Sequence, residues 1–196
     1  MADDLNLIKT NNSLHLKLIK KKADLPDNSG RNNSKQVDGY LIDTNENEKE
    51  ARRIIAALKA RNFKGKIAIQ GGTASYNRRI IETMQVNWLV SPEAASQKDS
   101  LKQRDAGFNH VLAKAATGKL AIVISISELM SIKGKARARR LARIMQNIRI
   151  CRKAKCQIKI ASLANKKEAI IDKYSRKALG SSLGMSSQQV KNAVEF

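Results

Sequence analysis

The sequence is poor in aromatic residues, which make up 4% of its 196 positions and are scattered along the chain. Such a set provides no row of platforms on which successive unpaired bases would stack, so stacking is a poor model for any nucleic-acid binding. No apolar run approaches the ~20 residues that span a bilayer, and the opening MADDLNLIKT does not resemble a signal peptide. We therefore expect a cytoplasmic protein.

Cysteine and histidine are equally scarce, with two of each. Cys151 and Cys156 form one C-x4-C pair without a second pair, so we expect reduced core residues and neither a metal site nor a disulfide. His15 and His110 lie far apart in the chain and belong to no carboxylate cluster. Since G-x-S-x-G, P-loop and H-E-x-x-H motifs are also absent, the sequence predicts no catalytic residue.

Positive charge is what the sequence has in excess, with 38 Lys and Arg against 17 Asp and Glu, a net charge of +21. The residues up to Lys98 carry 17 basic and 11 acidic side chains, and the remainder carries 21 and 6. A compact domain with this self-repulsion favours a polyanionic partner, and nucleic acid is the commonest one. The fraction of hydrophobic residues, 42%, is typical of a globular chain.

The positive charge is concentrated in a segment without acidic residues. Residues 129–167 contain 13 Lys and Arg and no Asp or Glu. A helix over 135–154 would place Leu141, Ile144, Met145, Ile148 and Cys151 on one face. The opposite face would present Arg139, Arg143, Gln146, Asn147 and Lys153 to solvent. Guanidinium groups bind phosphate oxygens with two parallel hydrogen bonds, so this helix is predicted to contact RNA or DNA.

Strand and helix signals alternate from Val37 onwards, in at least five βα units. This alternation predicts an α/β fold with a parallel sheet. We expect one TIM-barrel-like domain over residues 1–196, in preference to an open doubly wound sheet. The predicted strands cover residues 37–43, 66–70, 86–90, 120–126 and 157–161, and helices include one near 110–116 and another over 166–179.

Two helix starts are predicted from capping boxes, one at Asn45 with Glu48 and one at Ser186 with Gln189. The N-terminal 36 residues are ambiguous. Residues 5–8 favour a strand, and residues 13–22 fit a strand or a helix. Residues 25–36, rich in Asn, Ser, Asp and Gly, are predicted to form a mobile loop. Gly71-Gly72-Thr73 is interpreted as a tight turn, with phosphate binding as the alternative.

The most unusual local string runs from Arg104 to Lys114, Arg-Asp-Ala-Gly-Phe-Asn-His-Val-Leu-Ala-Lys. Its polar groups either satisfy one another at a helix start, with Asp105 beside Arg104, or contact RNA. At this string the sequence resembles protein component 3 of archaeal ribonuclease P, a family shared with a eukaryotic nuclear ribonuclease P/MRP subunit. The resemblance covers about 160 residues and is carried by residues 103–115, by residues 120–130, and by the Arg-rich helix with residues 157–162 and 183–186.

The resemblance implies a TIM-barrel-like fold related to the polymerase-and-histidinol-phosphatase type of metallohydrolase. It also implies a protein cofactor of the enzyme that removes the 5′ leader from precursor tRNA, in which the RNA carries catalysis with magnesium at its active site. Protein component 2 would pair with this chain, commonly as two copies of each. Those hydrolases place metal-binding histidines at the end of the first strand, where Asp4 to Lys9 contains none. An irregular first βα unit without hydrolase metals is therefore expected.

The sequence thus leads to the hypothesis of a non-catalytic, RNA-binding subunit of ribonuclease P that associates with the other ribonuclease P proteins and only indirectly with precursor tRNA. The residues expected to contact RNA are Arg104, His110, Lys114, Lys133, Lys135, Arg137, Arg139, Arg140 and Arg143. Two alternatives belong to other classes. One is a free-standing, metal-dependent barrel phosphoesterase, and the other is a protein-interaction scaffold that contacts RNA incidentally.

Overall fold

The computed structural model describes residues 2–11, 13–26, 37–95 and 107–196. Seven strands form one sheet in chain order, and every neighbouring pair is parallel. They are β1 (Asp4–Asn6), β2 (Ser13–Ile19), β3 (Gly39–Ile42), β4 (Lys66–Gln70), β5 (Trp88–Val90), β6 (Ala121–Ser125) and β7 (Ile158–Ala161). The prediction of an α/β fold with a parallel sheet is confirmed.

The sheet curls into a nearly closed barrel because the segment after β7 returns to β1. The Leu7 amide donates to the Ala164 carbonyl at 3.0 Å, and the Leu163 amide donates to the Leu5 carbonyl at 2.9 Å. We call this junction between β1 and the segment after β7 the seam of the barrel. Arg176 is buried beside it, with its Nη1 3.2 Å from an oxygen of the Asp4 carboxylate and its Nη2 donating to the Asp3 carbonyl at 2.6 Å. The TIM-barrel-like prediction is confirmed, and the open sheet is excluded.

Helices flank the barrel. Those in the described ranges are α1 (Glu48–Ala60), α2 (Ala74–Thr83), α3 (His110–Ala116), α4 (Ile126–Ser131), α5 (Gly134–Ala154), α6 (Lys173–Ser182) and α7 (Ser187–Ala193). Short 3-10 turns cover Lys22–Asp24 and Lys167–Ala169. None of these helices is long and apolar enough to cross a membrane.

Two apolar layers result from the alternation of side chains along each strand. The inward-pointing side chains fill the barrel with small and aliphatic groups and one Trp, namely Leu5, Leu16, Leu41, Ala68, Trp88, Val90, Ala121, Val123 and Ala161. The outward-pointing side chains pack under the helices and include Ile19, Ile42, Ile69, Leu89, Ile122 and Ile160. Aliphatic residues dominate both layers, in keeping with the low aromatic content of the chain.

The N-terminal βα unit is irregular, as expected. β1 and β2 are parallel neighbours, and the described residues between them form no helix. The helical alternative for residues 13–22 is wrong because β2 pairs with both β1 and β3 and turns Leu16 into the barrel. Of the predicted mobile loop, Leu25 is fixed in the outer core, and residues 27–36 lie outside the described residues.

One predicted capping box is confirmed and the other is wrong. Ser186 and Gln189 form the expected reciprocal cap of α7. Helix α1, however, is capped by Asn47, whose side chain accepts from the Glu50 amide at 3.1 Å. Asn45 instead adopts a left-handed backbone conformation (φ 48°) in the turn that precedes this cap.

The helix predicted over 166–179 is also wrong in its first half. A single 3-10 turn is followed by extended backbone, and α6 starts only after Asp172, whose carboxylate accepts from the Tyr174 and Ser175 amides. The cause is a tertiary contact, because the Ile171 amide donates to the Ser162 hydroxyl at 3.0 Å and is held away from helical geometry.

Candidate nucleic-acid interface

Helix α5 follows the predicted boundaries within one residue at its start. Its 21 residues span about 32 Å. Ile144, Ile148 and Cys151 anchor it in the outer core, and α3 packs beside it. Cys151 and Cys156 are both buried, as expected of core residues.

The solvent-facing side of α5 carries a row of cations, which we call the α5 stripe: Lys135, Arg139, Arg149 and Lys153. Steps of 3.6 residues per turn place these four exposed residues within a narrow sector of the helix. Ala142 and Gln146 continue the row without adding charge. Arg149 was not among the contacts predicted from sequence, although the same helical periodicity would have identified it. Because no carboxylate occurs in residues 129–167, no acidic neighbour on α5 offsets this row.

Arg143 and Asn147 do not face solvent, so the predicted face is wrong at both positions. They are 6% and 2% exposed, respectively. The Asn147 amide nitrogen donates to the Glu93 carboxylate at 3.2 Å. The buried side of α5 is therefore centred closer to Arg143 than the apolar pattern indicated, and Arg143 presents almost no surface to a ligand.

Arg140 is committed to an internal network. Its side chain is 15% exposed, and Nη1 lies 3.8 Å from Glu93 and 3.4 Å from Glu128. Its Nη2 donates to the Ala94 carbonyl at 3.1 Å. Burial raises the pKa of Glu93 to about 7 and also raises the pKa of Glu128, while the charge of Arg140 opposes both shifts. Arg140 thus joins α5 to the loop after β5 and to α4.

The other predicted cations at the start of α5 are exposed. Arg137 donates from Nε to the Ile132 carbonyl at 2.7 Å and from Nη2 to the Met130 carbonyl at 3.2 Å, so it also braces the turn that leads into the helix. Lys133 and Lys135 are exposed to solvent. Lys133, the N-cap residue, extends the basic surface one residue beyond the start of α5.

Within the string Arg104–Lys114, the residues Gly107, Phe108 and Asn109 stabilise the fold. Gly107 has a φ of +86°, and a Cβ there would overlap the Pro92 carbonyl oxygen. Phe108 is fully buried, and the Asn109 side chain caps α3 by accepting from the Leu112 amide at 3.0 Å. Asn77 ties the region together, since its amide nitrogen donates to the Pro92 and Gly107 carbonyls at 2.8 Å.

Two other side chains of the string are available for contact. His110 and Lys114 are exposed on α3, one helical turn apart, and α3 packs against α5. Arg104 and Asp105 lie outside the described residues. The structure therefore brings His110 and Lys114 onto the helix beside α5.

The carboxyl ends of the strands form a differently charged surface. A cavity of about 460 Å³ there is lined by three carboxylates, Asp43, Glu46 and Glu128. Within the described ranges, no group of three or more His, Cys, Asp or Glu side chains is arranged to hold a metal ion. The Gly72 amide donates to the Asn77 side chain at 2.8 Å, which supports the interpretation of Gly71-Gly72-Thr73 as a turn.

Comparison with known proteins links this basic barrel to one family. The family model described as RNase P subunit p30 matches residues 9–196. Ribonuclease P protein component 3 of Methanococcus vannielii is 32% identical over 120 residues, which are 61% of this chain and 48% of that protein. The protein of the same name from Thermococcus gammatolerans is 31% identical over 144 residues, 73% of this chain and 64% of that protein.

Solved structures agree with the sequence comparison. A chain in the cryo-EM structure of archaeal ribonuclease P with mature tRNA aligns with a TM-score of 0.64 and 28% identity, covering 81% of this chain and 64% of that chain. The crystal structure of an uncharacterised protein aligns with a TM-score of 0.54 at 10% identity and supports the fold alone. The chain spans about half the length of the Methanococcus relatives that it matches. Since the family model covers nearly all of the sequence, the chain belongs to the RNase P subunit p30 family.

Proposed function

We propose that this chain is a non-catalytic protein subunit of ribonuclease P and that it binds the RNA subunit through the α5 stripe. The catalytic RNA, with magnesium at its active site, would remove the 5′ leader from precursor tRNA, and the protein would hold that RNA in its working shape. Support comes from family membership and from the relatives named ribonuclease P protein component 3. We expect this assembly in the cytoplasm.

The observation that carries the proposal is the acid-free row of exposed cations on α5. Lys135 and Lys153 are 18 residues apart, which corresponds to about 27 Å along a helix axis. That length matches several consecutive phosphates, and neutralising them releases condensed counterions. His110 and Lys114 on the neighbouring α3 would add a contact at the side of this row.

The predicted contact residues take two different roles in this proposal. Arg139 and Arg149 have exposed guanidinium groups and would bind phosphate directly. Arg140 and Arg143 would act as positioning residues, because both are largely buried and Arg140 is paired with two carboxylates of the chain. The packing of Arg140 and Arg143 would therefore determine which way the α5 stripe faces.

Partners follow from the same family. We propose that the chain pairs with protein component 2, as two copies of each, alongside the other ribonuclease P proteins, and that precursor tRNA is reached indirectly. The structural neighbour in archaeal ribonuclease P with mature tRNA is consistent with such an assembly.

Reconstitution tests this function. Precursor-tRNA cleavage is measured for the RNA subunit with component 2 alone, and then with this chain added. We expect the chain to increase the cleavage rate at moderate magnesium concentration, and an Arg139→Gln/Arg149→Gln variant to increase it less. An unchanged rate with the wild-type chain would contradict the assignment.

The same assay separates the alternatives. Turnover of a small phosphate ester by the isolated chain with divalent metal would favour the barrel phosphoesterase. Full stimulation of cleavage by the Arg139→Gln/Arg149→Gln variant would favour the scaffold, in which the stripe does not bind RNA.

A further inference from the structure

A second basic surface lies at the amino-terminal ends of the strands, away from the acidic cavity described above. Two cavities of about 650 Å³ and 240 Å³ meet there, and Gln157 lines both. The wider one lies between the end of α5, the start of β7 and α7, and the narrower one crosses the starts of β4, β5 and β6. Together they form one recess, which we call the amino-end groove.

Three lysines line this groove without internal partners. The side chains of Lys66, Lys119 and Lys155 are exposed and make no hydrogen bond or ion pair with any described residue. Two other cations of the wall are engaged instead. Lys159 donates from Nζ to the Asn192 and Glu195 carbonyls at 2.7 Å, and Arg152 donates from Nη2 to the Gly184 carbonyl at 2.6 Å.

The positive charges of Lys66, Lys119 and Lys155 are therefore free to interact with a ligand in the groove. Its lining includes one acidic side chain, that of Glu195, beside these five cations. A concave wall that carries one sign of charge concentrates the opposite sign, so the groove favours an anion. In TIM-type barrels the ligand sites lie at the carboxyl ends of the strands, but here that end is lined by carboxylates and would repel a polyanion.

The polar lining indicates what kind of polyanion fits. Gln157, Gln188 and Asn192 place side-chain amides along the groove; Gln188 donates to the Asn192 side-chain oxygen at 3.1 Å, while the Gln157 amide offers both donors and an acceptor. The edges of unpaired bases require that combination, whereas paired bases in a duplex have their Watson–Crick edges occupied. The volume of the wider cavity falls within the range of about 300–1,000 Å³ that accommodates small ligands.

We propose that the amino-end groove binds a single-stranded segment of RNA, with phosphates at Lys66, Lys119 and Lys155 and one base against the amide of Gln157. This inference rests on the proposed function and extends it to a second RNA contact. The α5 stripe ends at Lys153, two residues before Lys155, so the two surfaces meet at the end of α5. One protein would then contact a folded RNA along α5 and an unpaired strand beneath the barrel.

Two labelled probes test the groove with the full chain, a ten-nucleotide oligouridylate and a twelve-base-pair RNA duplex. For Lys66→Gln/Lys119→Gln, we expect oligouridylate binding at 0.1 M KCl to weaken roughly 5- to 25-fold, and the slope of log K against log[KCl] to flatten by about 0.7–1.4, as loss of one to two phosphate contacts predicts. Duplex affinity should change less than about twofold. Lys49→Gln/Lys166→Gln is the matched control, since it removes equal charge from exposed positions elsewhere.

The base contact has its own variant. Gln157→Ala alters an exposed side chain and should lower the preference for oligouridylate over an abasic oligonucleotide of equal length about fivefold or more. Unchanged oligouridylate binding by Lys66→Gln/Lys119→Gln would overturn the proposal that the groove binds single-stranded RNA. An equal loss of affinity for both probes would overturn it too. If the wild-type chain binds oligouridylate and duplex but ribonuclease P RNA no better than either, the proposed function fails while the groove remains. If it binds no RNA at all, both fail.

Discussion

The Glu93 carboxylate and the Arg140 guanidinium, 47 residues apart in the chain, approach to 3.8 Å where the loop after β5 meets helix α5. Glu93 is 2% exposed, and Asn147 contacts its other oxygen. This contact fixes the rotation of α5 about its own axis and so determines which cations reach solvent.

Replacing Arg140 should therefore affect folding before it affects RNA. At pH 8, where Glu93 is ionised, Arg140→Met leaves the buried carboxylate without its cation, which typically costs about 3–5 kcal/mol of unfolding free energy. Arg139→Met alters an exposed neighbour and should stay within about 0.5 kcal/mol of the wild type. Urea unfolding of both variants measures the difference. Equal stability of the two would show that the Arg140 network contributes nothing.

The stability of the protein should depend on the titration of Glu93. Its pKa rises from 4.5 to about 7 on folding, so the folded state holds a proton that the unfolded state has lost between these values. Stability from this group is present below pH 4.5 and is lost as the pH rises to about 7. Relative to the wild type, Glu93→Gln should gain on the order of 3 kcal/mol between pH 4.5 and pH 8. Urea titrations at both pH values measure this, and a pH-independent difference would contradict it.

Charge removal from the α5 stripe should lower affinity for ribonuclease P RNA without specificity for one nucleotide. Arg139→Gln/Arg149→Gln should flatten the slope of log K against log[KCl] by about 1.8, as loss of two phosphate contacts on a duplex predicts. Arg53→Gln/Arg78→Gln is the control, since these arginines are exposed on α1 and α2. Fluorescence anisotropy across a KCl series gives both slopes. Equal slopes for the two variants would show that the α5 stripe does not contact the RNA.

Gly107 should tolerate no side chain. Gly107→Ala combines a left-handed φ of +86° with overlap against the Pro92 carbonyl oxygen, and we expect a loss of about 2–4 kcal/mol. Gly118→Ala isolates the backbone effect, because its φ is +76° and no atom lies within 4 Å of the added Cβ. It should lose about 1–2 kcal/mol. A thermal or urea melt compares the two, and similar losses would argue against the steric contribution.

Much of the fold could be predicted because its signals are local. The alternation of apolar strands and amphipathic helices located β3 to β7 and α5, and the Ser186–Gln189 pair located the cap of α7. The errors arise from contacts between distant parts of the chain. Ser162 holds Ile171 in extended backbone and shortens the helix predicted from Lys166, a contact that no local pattern contains.

Contacts between distant parts of the chain also explain the errors in the predicted RNA-binding face of α5. Leu141 and Met145 were predicted on the apolar face of α5, but they are only partly buried. The polar Arg143 and Asn147 are buried instead, and Asn147 contacts Glu93 in the loop after β5. The string that distinguished the sequence proved to combine a steric glycine, a core Phe and a helix cap with two exposed side chains, His110 and Lys114. An unusual local sequence can thus mark a folding requirement and a contact surface together.

The seam of the barrel has a consequence for biosynthesis. Asp4 and Arg176, like Leu5 and Leu163, are separated by more than 150 residues, so the contacts that close the barrel form only after both segments have left the ribosome. Such distant contacts carry a large loop-closure entropy and slow folding. Until then β1, whose sheet partner is β2, has no β7 segment on its other side, and its unpaired edge invites pairing with other chains. The nascent protein therefore remains prone to aggregation until the segment from Leu163 to Arg176 has emerged.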